Sequence, residues 1–156
     1  MEVQATPKTP SLAELRVGDA MHPGVFTCPI TTPLRAVARM MATQRIHCVV
    51  VYEPDGALAG DATLWGVISD IDLVDVAASE DVDVRTAGSV AASPVVMIPP
   101  DETLERAAQL MREYHTAHLI VVDPESLDPI GVLSTLDVAA LLAGLPWTAG
   151  KAAGRR

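Results

Sequence analysis

Apolar residues fall at helical spacing in two stretches of the chain, Leu34, Val37, Ala38 and Met41 in one and Leu104, Ala107, Ala108 and Met111 in the other. Spacing of i, i+3, i+4 and i+7 puts each set on one face of a helix. A short extended piece precedes each helix (Val25 to Cys28; Val95 to Ile98) and ends at Pro29 or Pro99. Thr31 and Asp101 are the candidate N-caps, with Pro33 tolerated in a first helical turn. A β-branched run follows each helix (Cys48 to Tyr52; Leu119 to Val122), closed by Glu53-Pro54-Asp55-Gly56 or Asp123-Pro124, which are turn residues. A second strand (Leu64 to Ile68; Ile130 to Leu133) then leads into another short helix at Ser69 or Ser134. The pattern predicts β-α-β-β-α, written twice.

The two passages are copies. The helix and the β-branched run of the first recur in the second at a shift of 70 positions, and Trp65-Gly66-Val67-Ile68-Ser69-Asp70-Ile71-Asp72 returns as Ile130-Gly131-Val132-Leu133-Ser134-Thr135-Leu136-Asp137 at a shift of 65. The first copy therefore carries extra residues in one loop. Shared order, spacing and apolar pattern make this a tandem duplication. The fold class is α/β, with strands apolar at consecutive positions, as expected where helices cover a sheet. A copy of about 60 residues is marginal alone, so the two are expected to pack as one unit. The predicted organisation is a leader over 1–16, repeat 1 over 17–78, a polar linker over 79–86, repeat 2 over 87–143 and a tail over 144–156. A short amphipathic stretch, Leu12 to Val17, comes before the first copy.

Composition narrows the function. Apolar residues make up 49% and aromatic residues only 3% of the 156, so the core is built of Val, Ile, Leu, Ala and Met. A net charge of −9 argues against a duplex nucleic-acid or anionic-membrane surface, and the short basic run from Lys151 to Arg156 does not reverse it. No apolar run approaches the roughly 20 residues of a membrane span, and the first residues lack a signal peptide's apolar core. Cys28 and Cys48, without CxxC or metal spacing, read as buried free thiols, and the expected setting is the cytoplasm. His22 reads as an exposed loop residue, Met40 and Met41 as packing. Trp65 reads as packing at the strand entering the repeated motif, and Trp147 as a residue that pins the tail or covers an interface. No Ser/His/Asp or Cys/His constellation, Gly-rich phosphate loop or HExxH spacing supports catalysis.

Gly-apolar-apolar-Ser-x-x-Asp after a strand, twice, within β-α-β-β-α order, resembles a tandem pair of cystathionine β-synthase (CBS) domains, the Bateman module. The resemblance implies a pseudo-two-fold disc with two clefts between the copies that take adenosine-containing ligands of the AMP, ADP, ATP or S-adenosylmethionine class. It implies that Ser69 and Asp72, and Ser134 and Asp137, contact ribose and neighbouring phosphate. A carboxylate can accept from both ribose hydroxyls, and a hydroxyl at a helix start lies among free N–H donors. Ser-x-x-Asp is equally an N-cap arrangement in which the acid complements the helix dipole. AMP-binding family members carry Ile-His-Arg before the β-branched run. Here Ile46-His47-Cys48 and Thr116-Ala117-His118 stand there, so His47 matches the His position and His118 the Arg position. The Arg itself is missing, Val50 and Ile120 replace the usual Pro, and Arg45 and His115 are the candidate substitutes. A sheet packed on one side cannot absorb every apolar helical position. The helices beginning near Leu34, Ile71, Leu104 and Leu136 are therefore expected to share an apolar surface that makes a homodimer, as the resemblance also implies, with no required cofactor. The rival reading is an interaction module without a ligand, acting through its dimer surface on a separately encoded enzyme or transporter. A metal or redox role for His47, Cys48 and His118 ranks behind both.

Overall fold

A computed structural model describes residues 10–54, 62–79, 81–92 and 94–145 of the chain. The expected loose leader up to Pro10, the Asp55-Gly56 turn, Glu80 of the polar stretch, Trp147 and most of the tail therefore lie outside the described residues. In chain order the elements are α1 (Val17–Ala20), β1 (His22–Pro23), β2 (Thr27–Pro29), α2 (Leu34–Gln44), β3 (Cys48–Pro54), β4 (Ala62–Ser69) and α3 (Asp70–Ala77). Then come α4 (Ala87–Val90), β5 (Met97–Ile98), α5 (Leu104–Glu113), β6 (His118–Val122), β7 (Pro129–Ser134) and α6 (Thr135–Leu142). The predicted β-α-β-β-α order is present in both copies, each preceded by one further helical turn, α1 or α4.

Those two leading turns change places. The described residues fall into two compact units, one of residues 10–23 with 96–145 and the other of residues 24–95. Thus the segment that opens repeat 1, through Pro23, folds with the rest of repeat 2. Val17 N–H donates to Glu102 O, Gly18 N–H to Pro100 O, and Leu104 N–H to Leu15 O. The segment that opens repeat 2, through Val95, folds with repeat 1 in the same way. Ala87 N–H donates to Thr32 O, Gly88 N–H to Ile30 O, and Leu34 N–H to Arg85 O. Gly18 and Gly88 are equivalent under the shift of 70. A Cβ on Gly18 would lie 3.2 Å from Pro100 O, and one on Gly88 only 2.8 Å from the Ile30 Cβ. At Gly88 a Cβ would force its neighbour to shift, and at Gly18 it would make a tight contact.

These hydrogen bonds also move the helix starts. Thr31 and Asp101 are not the N-caps: α2 begins after Pro33 and α5 after Thr103. Residues 29–32 and 99–102 instead make turns, Thr32 N–H to Pro29 O and Glu102 N–H to Pro99 O. The first N–H groups of α2 and α5 are taken by the incoming segments, leaving Thr31 and Asp101 none to capture. Thr103 Oγ1 accepts from Arg106 N–H at 3.1 Å.

Each unit has its own sheet, β2-β3-β4 in one and β1-β7-β6-β5 in the other. In both, the first strand of the repeat runs parallel to the β-branched strand and the next pairs antiparallel. The cores use the same repeat positions. Leu34, Val37, Met41, Val49, Val51 and Ile68 are buried in one cluster, and Leu104, Ala107, Met111, Leu119, Val121 and Leu133 in the other. Each large side chain so buried contributes about 1.5–3 kcal/mol. The polar stretch over 79–86 is tied down as well as solvated: Val82 packs against the repeat-1 core, and Asp83 pairs with Arg35 through two contacts. That guanidinium holds the Asp83 carboxyl below its ordinary range.

Candidate functional site

The repeated motif ends β4 and β7 and opens α3 and α6, with Ser69 and Ser134 as N-caps in extended backbone. Each Asp sits at the third helical position and reaches back. Asp72 Oδ2 accepts from Ser69 N–H and from Ser69 Oγ, both at 2.7 Å. Asp137 Oδ2 accepts from Ser134 N–H at 2.7 Å and Ser134 Oγ at 2.8 Å. Ser134 Oγ accepts in turn from Asp137 N–H at 3.3 Å. Both motifs are therefore capping boxes, with one carboxylate oxygen of each committed to the cap.

The other oxygen separates the two sites. Asp137 is only 6% exposed, and its Oδ1 lies 2.8 Å from His22 Nε2. Asp72 is partly exposed, and among the described residues its Oδ1 accepts no hydrogen bond. His22 is not the free loop residue its position suggests. It lies in β1, opposite Val132 of β7 in antiparallel register.

The four candidate phosphate partners divide in a similar way. His47 Nδ1 lies 2.8 Å from Asp70 Oδ2 at an exposed position beside the first motif. His118 stands directly across the ladder from Ser134, whereas Cys48 holds the equivalent place opposite Ser69. The structure thus gathers Ser69, Asp72, His47 and Asp70 at one site, and Ser134, Asp137, His118 and His22 at the other. Arg45 and His115 lie where α2 and α5 end. Both are exposed and end their helices with positive φ, 53° and 49°, and no hydrogen bond joins them to the motifs among the described residues. They serve the left-handed turn that stops α2 and α5. A shallow depression lined by Gln109, Arg112, Glu113 and His115 borders neither Ser134 nor Asp137.

Cys28 and Cys48 are both free and buried. Burial first, and the Asp70 carboxylate second, push the Cys48 thiol up to about 12. A thiol so poised is protonated at neutral pH and unsuited to redox exchange or metal binding. No group of three metal-ligating side chains occurs among the described residues. Trp65 Nε1 donates to Gly88 O at 3.1 Å, fixing its ring against α4 of the same unit.

The sequence pattern of the CBS domain matches residues 17–79 and 87–144. The chain belongs to the CBS domain family. Solved structures agree on the fold. The CBS domain pair of protein MJ0100, in complex with 5′-methylthioadenosine and S-adenosyl-L-methionine, is 19% identical with a TM-score of 0.71, over 83% of this chain and 97% of that one. The CBS domain of a bacterial CNNM/CorC family Mg2+ transporter, in complex with ATP, is 24% identical with a TM-score of 0.68, over 86% and 92%. CBSX2 in complex with AMP is 23% identical with a TM-score of 0.64, over 83% and 96%. A curated homoserine O-acetyltransferase of Methanosphaerula palustris is 28% identical over 130 residues. Those residues are 83% of this chain but 24% of that protein, so the chain spans about a quarter of its length.

His22 is the site residue that the sequence pattern did not reveal. The signal available was the shift of 70 extended upstream, which aligns Gly18 with Gly88 and His22 with Ala92. That alignment marks the leading segments as part of the repeat.

Proposed function

We infer that the chain is a non-catalytic regulatory module that binds an adenosine-containing small molecule, of the AMP, ADP, ATP or S-adenosylmethionine class, at Ser69 and Asp72. The observation that carries this reading is the Asp72 carboxylate: one oxygen completes a cap and the other accepts nothing among the described residues. Such an oxygen at a helix start suits a ribose diol, and the neighbouring N–H groups suit a phosphate. Solved CBS pairs complexed with AMP, ATP and S-adenosyl-L-methionine support the ligand class. A net charge of −9 and the missing Arg oppose polyanions, so adenine recognition outweighs phosphate number. The test is a thermal-shift panel of AMP, ADP, ATP and S-adenosylmethionine with guanosine counterparts as controls. A ligand that binds only the folded state raises the melting temperature. Shifts with adenosyl compounds alone support the reading, and no shift with any of them rejects it.

A second reading, an interaction module acting through its dimer surface, is favoured by one observation. Ile71 and Val74 of α3, and Leu136 of α6, which is equivalent to Ile71, are apolar and largely exposed. We assign this stripe to a second copy of the chain, which makes the module a homodimer in either reading. A separately encoded enzyme or transporter is the regulated partner in this proposal, and a transporter CBS domain among the structural neighbours supports that choice. The free buried thiols fit the reducing cytoplasm.

A further inference from the structure

The two Ser-x-x-Asp sites are built alike except at one position. In the unit of repeat 2, β1 lays His22 opposite Val132, and its imidazole meets Asp137 Oδ1 at 2.8 Å. In the unit of repeat 1, the incoming segment makes the same antiparallel bridge, Ala92 opposite Val67, with hydrogen bonds of 2.9 and 3.2 Å. His22 and Ala92 are equivalent at the shift of 70, as Val132 and Val67 are at 65. An imidazole thus occupies the place that a methyl group holds in the other copy. The outer side of the ring faces solvent, its side chain 44% exposed, while the carboxylate behind it is 7% exposed.

We propose that His22 is a latch over Asp137, so that the chain binds one adenosyl ligand, at Asp72, and takes a second at Asp137 only when the latch swings away. This rests on the ligand reading above. A diol needs an accepting oxygen that solvent can reach. Asp137 Oδ2 already accepts two hydrogen bonds, and Oδ1 is covered by the ring. Asp72 offers its Oδ1 without such a cover among the described residues. The latch residue comes from the opening segment of repeat 1 and serves the site of repeat 2. Whatever draws residues 10–23 away from β7 therefore opens the second site. A latch closed about nine-tenths of the time weakens apparent affinity behind it about tenfold.

The experiment is calorimetry with AMP, and separately with S-adenosylmethionine, on the parent, His22→Ala, Ala92→His, and His22→Ala combined with Asp137→Asn. The His22→Ala change reproduces the arrangement that Ala92 provides in the other copy, so the fold tolerates it. The expected stoichiometry is one ligand per chain for the parent and two for His22→Ala, returning to one when Asp137→Asn is added. Ala92→His should remove the parent's site. If the parent binds and His22→Ala leaves both stoichiometry and affinity unchanged, the latch is overturned while the ligand reading survives. Two equal sites in the parent would overturn the latch in the same way. If neither ligand binds any of the four proteins, the latch and the ligand reading fall together.

Discussion

Asp72 and Asp137 hold the same repeat position and make the same two bonds to their own serine, yet their second oxygens face different surroundings. Substitution by Asn should part their roles. Asp72→Asn is expected to lower adenosyl-ligand affinity roughly tenfold or more, since a charge-assisted hydrogen bond gives way to a neutral one. Its stability cost should stay near the 0.3–1 kcal/mol of a helix-dipole contact, about that much by chemical denaturation. Asp137→Asn is expected to do the reverse. It leaves affinity unchanged and costs more stability, about 1.5–3 kcal/mol, because it disturbs bonds to a buried charged group. If both variants bind as the parent does, the interaction-module reading takes over. The capping boxes were legible in the sequence because they are local, three residues apart. The His22–Asp137 contact was not, since it joins residues 115 apart and depends on which unit the leading segment joins. Cys48 gives a residue-scale pH dependence. Its ordinary thiol pKa of 9.0 is raised to about 12 by burial and then by Asp70, so the folded state keeps a proton that the unfolded chain loses first. The sign is fixed by linkage: the contribution is intact below pH 9.0 and is lost as pH rises from there towards about 12. Denaturation midpoints of the parent should therefore fall more steeply across that window than those of Cys48→Ala. Parallel slopes would refute the assignment.

Hydrophobic spacing located the elements because each side chain's periodicity reports its own neighbours. The helices α3 and α6 begin at Asp70 and Thr135, one residue past the serines that the pattern marks. In contrast, α2 and α5 begin at Leu34 and Leu104, two residues later than N-caps at Thr31 and Asp101 would start them. The exchange of leading segments was beyond the pattern for a physical reason. A duplicated sequence offers two self-consistent pairings, since Gly18 meets Pro100 in one and its equivalent Ile30 in the other, with similar apolar contact. Only the folded chain records the choice. Glycines at the seams make that choice testable. A Cβ on Gly131 would lie 2.6 Å from His22 O and 2.8 Å from Met21 Sδ, and one on Gly66 would lie 2.7 Å from Ala92 O. A backbone oxygen cannot turn aside as a side chain does, so Gly131→Ala must push β1 off β7. The expected cost is about 1–3 kcal/mol, as for overpacking in a tight interior. Hydrogen exchange should quicken over residues 17–23 in Gly131→Ala and over residues 87–92 in Gly66→Ala, each without the other. Equal protection of both segments in both variants would contradict the pairing described here.

At the scale of the molecule, the cores leave several large apolar side chains exposed, some of them on equivalent helices. Ile71 is 61% exposed, Val74 60% and Leu136 70%, although α3 and α6 each bury other positions of the same helix. Ile71 and Leu136 are equivalent in the two repeats, so each unit carries the feature. Scattered exposed leucines are ordinary, but an exposed apolar position that recurs on equivalent helices supports the proposed contact surface. Self-association is the economical outcome, because one surface present in both units of every copy can meet itself under two-fold symmetry. A stable interface of this kind buries about 800 Å² per partner. Light scattering at micromolar concentration should return about twice the 16.4 kDa of one chain. Ile71→Asp combined with Leu136→Asp should return the single-chain mass, with the melting temperature little lowered below the dimer's concentration-dependent contribution. The substituted positions face solvent and not the core, so loss of mass without loss of fold identifies the stripe as the contact. A parent that scatters as a monomer removes the homodimer, and a double variant that remains dimeric moves the contact elsewhere on the chain.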